Sequence, residues 1–242
     1  MKLQNKIAVI TGGNSGIGFA TAKEFKAQGA RVVIIGRKPD AVAAAAKEIG
    51  GDTLGLVADV SKVAELDAAF QVIREKYGRV DVLFANAGIA KFLPFGEVTE
   101  EFFLEQTAAN VKGAYFTAQK ALPLLGEGAS VIFTSSTVSH FGMPGSSVYS
   151  MTKAALINLA KTLAVELAPK KIRVNVVSPG PIVTPIFGKM GLSEAAVGEL
   201  GGAILTQVPL ARFGDDGVSP LSLATDHPDS VLGRPLQTPL PI

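Results

Sequence analysis

"KIAVITGGNSGIG", residues 6–18, joins a short β-branched apolar run to a glycine-rich turn and then to residues with helical periodicity. The five apolar-rich residues "KIAVI" fall short of a signal peptide's hydrophobic stretch and read as a first strand. Gly12, Gly16 and Gly18 permit tight turning and close backbone approach. The helix that follows would present its unpaired N–H groups, with Asn14, Ser15 and Ile17 in the same turn, to an anionic pyrophosphate. The spacing Gly12-x-x-x-Gly16-x-Gly18 departs from the G-x-G-x-x-G fingerprint. Nor does Gly-Lys-Ser/Thr follow, which excludes a nucleotidase phosphate loop. A glycine-rich strand–helix turn can also be a plain tight turn, so the rest of the chain has to decide.

Outward from this turn, short β-branched runs alternate with longer helical patterns. The strands expected are 6–10, 31–35, 53–57, 80–84, 130–134 and 172–177; the helices are 16–28, 39–49, 62–77, 99–124 and 149–168. Strands apolar on both faces and joined by helices predict an α/β fold: a doubly wound parallel sheet of Rossmann type in three αβα layers. Pro169 stops the last helix, and ten of the 14 prolines lie at or after that residue, so the final third reads as loop-rich. The 242 residues suit one domain, 1–242.

Composition removes several function classes. The chain has no cysteine, which excludes thiolate chemistry and cysteine-ligated zinc, and its two histidines, His140 and His227, are too far apart to suggest a metal site. Lys+Arg 23 against Asp+Glu 21 gives a net charge of +2 with the cations scattered, unlike a nucleic-acid footprint. No uncharged apolar run approaches the ~20 residues of a membrane span. A cytoplasmic protein with no nucleic-acid or membrane partner and no metal is expected.

"YSMTK", 149–153, sets Tyr149 and Lys153 four residues apart, neighbours on one helix face. A cation beside a phenol favours the phenolate and is expected to draw its pKa down toward neutrality, where acid–base groups work best. The plainer alternatives are a core tyrosine and a lysine that reaches solvent. Ser136 ends the fifth strand, where ligands bind in open α/β sheets. Its hydroxyl suits oxyanion stabilisation; no Gly-x-Ser-x-Gly elbow supports nucleophilic attack. Ser135 competes with it. Asn110 by itself reads as an exposed polar residue. Asp59, with Val60 beside it, is either an acceptor for an adenine amino group or a turn residue ahead of Ser61.

Taken in order, Thr11-Gly12-x-x-x-Gly16-x-Gly18, Asn86-Ala87-Gly88, Asn110, Ser136, Tyr149-x-x-x-Lys153 and Pro179-Gly180 resemble the short, single-domain branch of the short-chain dehydrogenase/reductase family, from about residue 5 to about residue 214. The resemblance implies NAD(P)(H)-dependent oxidoreduction of a carbonyl or alcohol substrate. In it Tyr149 is acid or base, and Lys153 tunes Tyr149 and holds the ribose. Ser136 steadies the oxyanion, and Asn110 kinks its helix and anchors a relay water. It also implies cofactor contacts from Asn86, Ala87 and Gly88 beside the ribose, and from Pro179, Gly180, Ile182 and Thr184 beside the carboxamide. A second asparagine common in the family before that triplet is Ala85 here.

Further expectations follow from the resemblance. Gly36 stands where NAD-preferring relatives carry an acid, and Arg37 and Lys38 follow; NADP(H) is therefore expected to be preferred, with NAD(H) possible. A substrate lid is placed at about 185–213, and His140, Phe141, Met143, Phe187 and Met190 form an apolar pocket wall. From about 215 to 242 the tail lacks the family's terminal Asp-Gly-Gly, and Pro235, Pro239 and Pro241 disfavour a central strand there. A homo-oligomer, tetramer or dimer, is expected. Two alternatives stand beside this reading. One is a 3-oxoacyl-acyl-carrier-protein reductase, for which the lid offers only Lys189 and Arg212 as basic residues. The other is a nucleotide-sensing protein without chemistry.

Overall fold

The computed structural model describes residues 1–184, 194–207 and 212–214. Phe187, Met190, Lys189 and the tail from 215 lie outside the described residues.

Six parallel strands form one sheet in the order β3-β2-β1-β4-β5-β6: β1 Ile7–Thr11, β2 Arg31–Gly36, β3 Leu54–Val57, β4 Val80–Ala85, β5 Leu125–Thr134 and β6 Arg173–Val177. The chain steps outward from β1 to β3, returns across β1, and steps outward again from β4 to β6. The order reverses between β1 and β4, the place where open α/β sheets leave a crevice beyond their carboxyl ends.

Strand periodicity sorts the core into two layers. Ala8, Ile10, Val32, Ile34, Val82, Phe84 and Ile132 pack on one face with α1 (Gly16–Ala27) and α2 (Pro39–Ile49). Val9, Val33, Ile35, Leu83, Val131 and Phe133 face the other way. They pack against α3 (Val63–Tyr77), α5 (Gly113–Ala121) and α6 (Ser147–Leu167). Phe25, Phe84 and Phe133 are fully buried; at roughly 25 cal/mol per Å² of apolar surface, such burial is the main favourable contribution. The expected doubly wound sheet is present. No helix among the described residues is long and apolar enough to cross a membrane.

Two segments differ from expectation. The helix expected over 99–124 is not continuous: α4 (Glu100–Thr107) runs into a π turn at Ala108–Lys112, then α5, then a 3-10 turn at Leu122–Leu124. The fifth strand is longer than 130–134, beginning at Leu125. Within the segment expected to form a lid, α7 spans Glu194–Gln207.

Candidate active site

The turn between β1 and α1 is shaped by backbone. Gly12 has φ +66, a left-handed conformation that suits glycine, and a Cβ there would lie 3.0 Å from Ala87 Cα. A Cβ at Gly18 would strike the carbonyl of Gly12. Ser15 caps α1 in extended conformation without a side-chain hydrogen bond, so no side-chain cap takes up the first N–H groups of α1. Those free donors fit a dinucleotide pyrophosphate.

The crevice floor is pinned at the switch point. Thr11 Oγ1 accepts from the backbone N–H of Asn86 (3.0 Å) and of Ala87 (3.1 Å). Asn86 Nδ2 donates back to Thr11 O at 3.2 Å, and Thr134 Oγ1 donates to Asn86 Oδ1 at 3.2 Å, so β1, β4 and β5 are tied together at their carboxyl ends. At the end of β2, Gly36 is buried, and a Cβ there would collide with Asn14 Oδ1 and lie 2.9 Å from Val42 Cγ2. No acidic side chain fits that position without displacing Asn14. Arg37 and Lys38 are exposed beyond it. Asp59 Oδ1 accepts from Ser61 N (2.9 Å) and Ser61 Oγ (2.8 Å), so it forms the turn ahead of α3; Val60 is buried beside it.

Tyr149, Lys153 and Ser136 meet beyond β5. Tyr149 and Lys153 lie on the first turns of α6, and Ser136 follows the last residue of β5 by two. The Ser136 side chain lies near the Tyr149 phenol and favours its ionised form. Lys153, 5% exposed, donates from Nζ to Thr134 O at 2.8 Å, and the same ammonium stands 5.6 Å from the centroid of the Tyr149 ring. Lys153 does not depress the tyrosine as expected: burial pushes Tyr149 up to about 12 and outweighs the lowering influence of Ser136. The ammonium faces the ring and a carbonyl, not the phenol oxygen. Burial in turn draws Lys153 down to about 8.

Ser135 is removed from contention by its surroundings. It is 2% exposed and donates to Lys153 O at 2.8 Å, which fastens β5 to α6. Asn110 is not an exposed polar residue: it is 1% exposed inside the π turn. Its Oδ1 accepts from Ile89 N at 2.8 Å, while Nδ2 donates to Ile89 O (2.9 Å) and Thr152 Oγ1 (3.0 Å). A Cβ on Gly88 would lie 3.0 Å from Asn110 Oδ1 and 3.4 Å from Lys153 Nζ, so these groups share one small space.

The segment after β6 reaches the same edge. Pro179 O accepts from Thr137 N at 3.0 Å, Gly180 is exposed, and Ile182 bridges to Gly214; Thr184 ends the described run. His140 and Phe141 are exposed and Met143 half-buried on the loop between β5 and α6. One contact escaped sequence reading: the rings of Phe92 and Tyr149 meet edge-to-face, 5.7 Å between centroids. The apolar cluster "KFLPF" after the Asn86-Ala87-Gly88 triplet is the signal that could have drawn attention to it. Among the described residues no cluster of His, Cys, Asp and Glu could hold a metal ion.

Known proteins are similar to this chain in sequence and fold. A family model described as enoyl-(acyl carrier protein) reductase matches residues 12–217. An uncharacterized oxidoreductase of Methylorubrum extorquens is 42% identical over 217 residues, 88% of this chain and 86% of that protein. A 3-ketoacyl-(acyl-carrier-protein) reductase from Brucella melitensis, solved with NADH, superposes with a TM-score of 0.80 at 32% identity, covering 89% of this chain and 87% of that one. A short-chain dehydrogenase from Burkholderia cenocepacia, solved with NADP, gives 0.81 at 29% identity over 90% and 88%. With its parallel sheet and glycine turn, the chain belongs to the short-chain dehydrogenase/reductase family of NAD(P)-binding oxidoreductases.

Proposed function

We propose that the protein is an NADP(H)-dependent reductase of small or medium carbonyl compounds, or a dehydrogenase of the matching alcohols, with Tyr149 as acid and base. The observation that carries this reading is the meeting of Ser136, Tyr149 and Lys153 beyond β5, with Lys153 Nζ 5.6 Å from the Tyr149 ring centroid and held by Thr134 O. Two hydroxyls at one sheet edge would allow one carbonyl oxygen to accept from both. When bound, the nicotinamide supplies or takes a hydride at the carbonyl carbon. Tyr149 gives its phenolic proton to the oxygen as negative charge develops there, and Ser136 donates to the same oxygen. Lys153, fixed by Thr134 O, keeps a positive charge beside the ring from which the proton leaves. Asn110 positions the floor beneath Lys153 by holding Ile89 and Thr152.

The uncapped turn at 12–18 is the pyrophosphate cradle in this reading. Asn86, Ala87 and Gly88 would hold the ribose, Asp59 and Val60 the adenine, and Pro179, Gly180, Ile182 and Thr184 the carboxamide. Arg37 supports the preference for NADP(H): it is exposed, and a guanidinium matches phosphate geometry. NAD(H) use is compatible with the neutral Asn14 in the turn. We further take the chain to act as one cytoplasmic domain. Phe103, Leu104, Tyr115, Met151 and Val165 leave apolar surface on α4, α5 and α6. That surface favours a homo-oligomer.

Tyr149→Phe tests the chemistry. It keeps the ring against Phe92 and removes the transferable proton, so turnover should fall at least ~10²-fold while cofactor binding persists. Wild-type turnover in the variant, measured by loss of reduced-cofactor absorbance, would overturn the mechanism.

A further inference from the structure

We propose that the carbonyl reduced here is borne by a flat aromatic group, and that Phe92 is the residue that selects it. This deepens the reading above and rests on Tyr149 as the acid.

Two loops leave the sheet edge beside Tyr149, residues 86–98 after β4 and 135–146 after β5. They are joined by a backbone hydrogen bond from Leu93 N to Gly145 O at 2.9 Å. Phe92, on the first loop, meets the Tyr149 ring at an interplanar angle of 68°. Rings in this arrangement leave further faces and edges for a third, since aromatic pairs prefer edge-to-face or offset contacts. Phe95 on the first loop is 84% exposed and Phe141 on the second 49%. Neither ring completes the core, and both occupy the loops that flank the acid.

Two serines and the lysine of these loops are already bound, which leaves fewer side-chain partners for a polar substrate. Ser139 Oγ donates to Ser136 O at 2.6 Å and Ser146 Oγ to Met143 O at 2.7 Å, so these serines serve their own loop. Lys91, the only lysine or arginine of either loop, is paired with Glu105. A sugar would need several convergent side-chain hydrogen bonds, and a phosphorylated or acidic-carrier substrate would need free cations. Aromatic surface next to a hydroxyl pair fits an aryl ketone or a quinone-like carbonyl: the ring lies against Phe92 and its carbonyl oxygen against Tyr149 and Ser136.

The test compares acetophenone with cyclohexyl methyl ketone, which carries the same acetyl group on a saturated ring and an intrinsically more electrophilic carbonyl, using the intact enzyme and NADPH. Acetophenone should show the higher kcat/KM by roughly three- to tenfold, the range expected from one aromatic contact. Phe92→Leu should bring that ratio toward one through the KM for acetophenone, and Phe92→Tyr, which keeps the ring, should restore it. Equal values in the wild type, a ratio unchanged in Phe92→Leu, or a higher kcat/KM for an aldose or an acyl thioester would overturn the proposal. If another carbonyl is reduced and Tyr149→Phe abolishes that reduction, only the substrate class fails. If no carbonyl is reduced at all, the mechanism fails with it.

Discussion

The β1–α1 turn and the paired loops after β4 and β5 leave the same edge of one sheet, yet they are made of opposite materials. The turn, residues 12–18, has no titratable side chain, and its shape is fixed by glycine dihedrals and by close approach to Ala87 and Asn86. The paired loops present Phe92, Phe95 and Phe141, and they lead into the hydroxyls and buried ammonium of Ser136, Tyr149 and Lys153. Backbone donors can bind any pyrophosphate, whatever chain supplies them. Side-chain rings, by contrast, can discriminate between substrates by shape and stacking. On the proposed reading, recognition of a common cofactor and selection of a particular substrate are separated in the molecule.

That separation can be tested first at the turn itself. Gly18→Ala places a methyl against the Gly12 carbonyl and 2.6 Å from Asn86 Nδ2. Overpacking of this kind costs about 1–3 kcal/mol, so cofactor affinity should fall by up to about a hundredfold in a folded protein. A fluorescence titration with NADPH, alongside circular dichroism, measures both; affinity within threefold of wild type would remove the turn from the binding site. Arg37→Ala should weaken NADPH by about ten- to a hundredfold and leave NADH nearly unchanged, because a charged hydrogen bond is worth about 1.5–3 kcal/mol. Equal NADPH affinities before and after would leave Arg37 a surface charge.

The smallest effect belongs to the other region. Lys153, drawn down to about 8 by burial, loses its proton as pH rises through that value, whereas Tyr149, held up at about 12, stays protonated. The kcat/KM for ketone reduction should therefore be level below pH 8 and decline about tenfold per unit above it. A profile flat to about pH 10 would show that the ammonium is not required.

The parallel sheet was legible because its strands are short, apolar on both faces and punctuated by glycine and proline. The expected strand at 31–35 and helix at 39–49 differ from β2 and α2 by at most a residue. The π turn at 108–112 was not legible, since one wide turn barely disturbs the apolar pattern on either side of it. With that turn hidden, Asn110 looked exposed. Tyr149 and Lys153 were correctly read as neighbours, but their charge interaction was not: spacing gives distance along a helix, whereas the pKa depends on what covers the pair. Chemistry alone cannot separate Ser135 from Ser136; the family spacing favours Ser136, and the bond from Ser135 to the α6 backbone agrees. Phe92 was hidden because its partner lies in another element.

Gly88 has a consequence for charge. It does not adopt a left-handed conformation, so its lack of a side chain serves space and not backbone freedom. A methyl there would stand 3.4 Å from Lys153 Nζ and 3.0 Å from Asn110 Oδ1, putting hydrocarbon where a polar group can otherwise approach the ammonium. Deprived of that approach, the lysine would be still less well solvated and would give up its proton at a lower pH. The smallest residue in the chain thus helps set the ionisation of one of its most deeply buried cations.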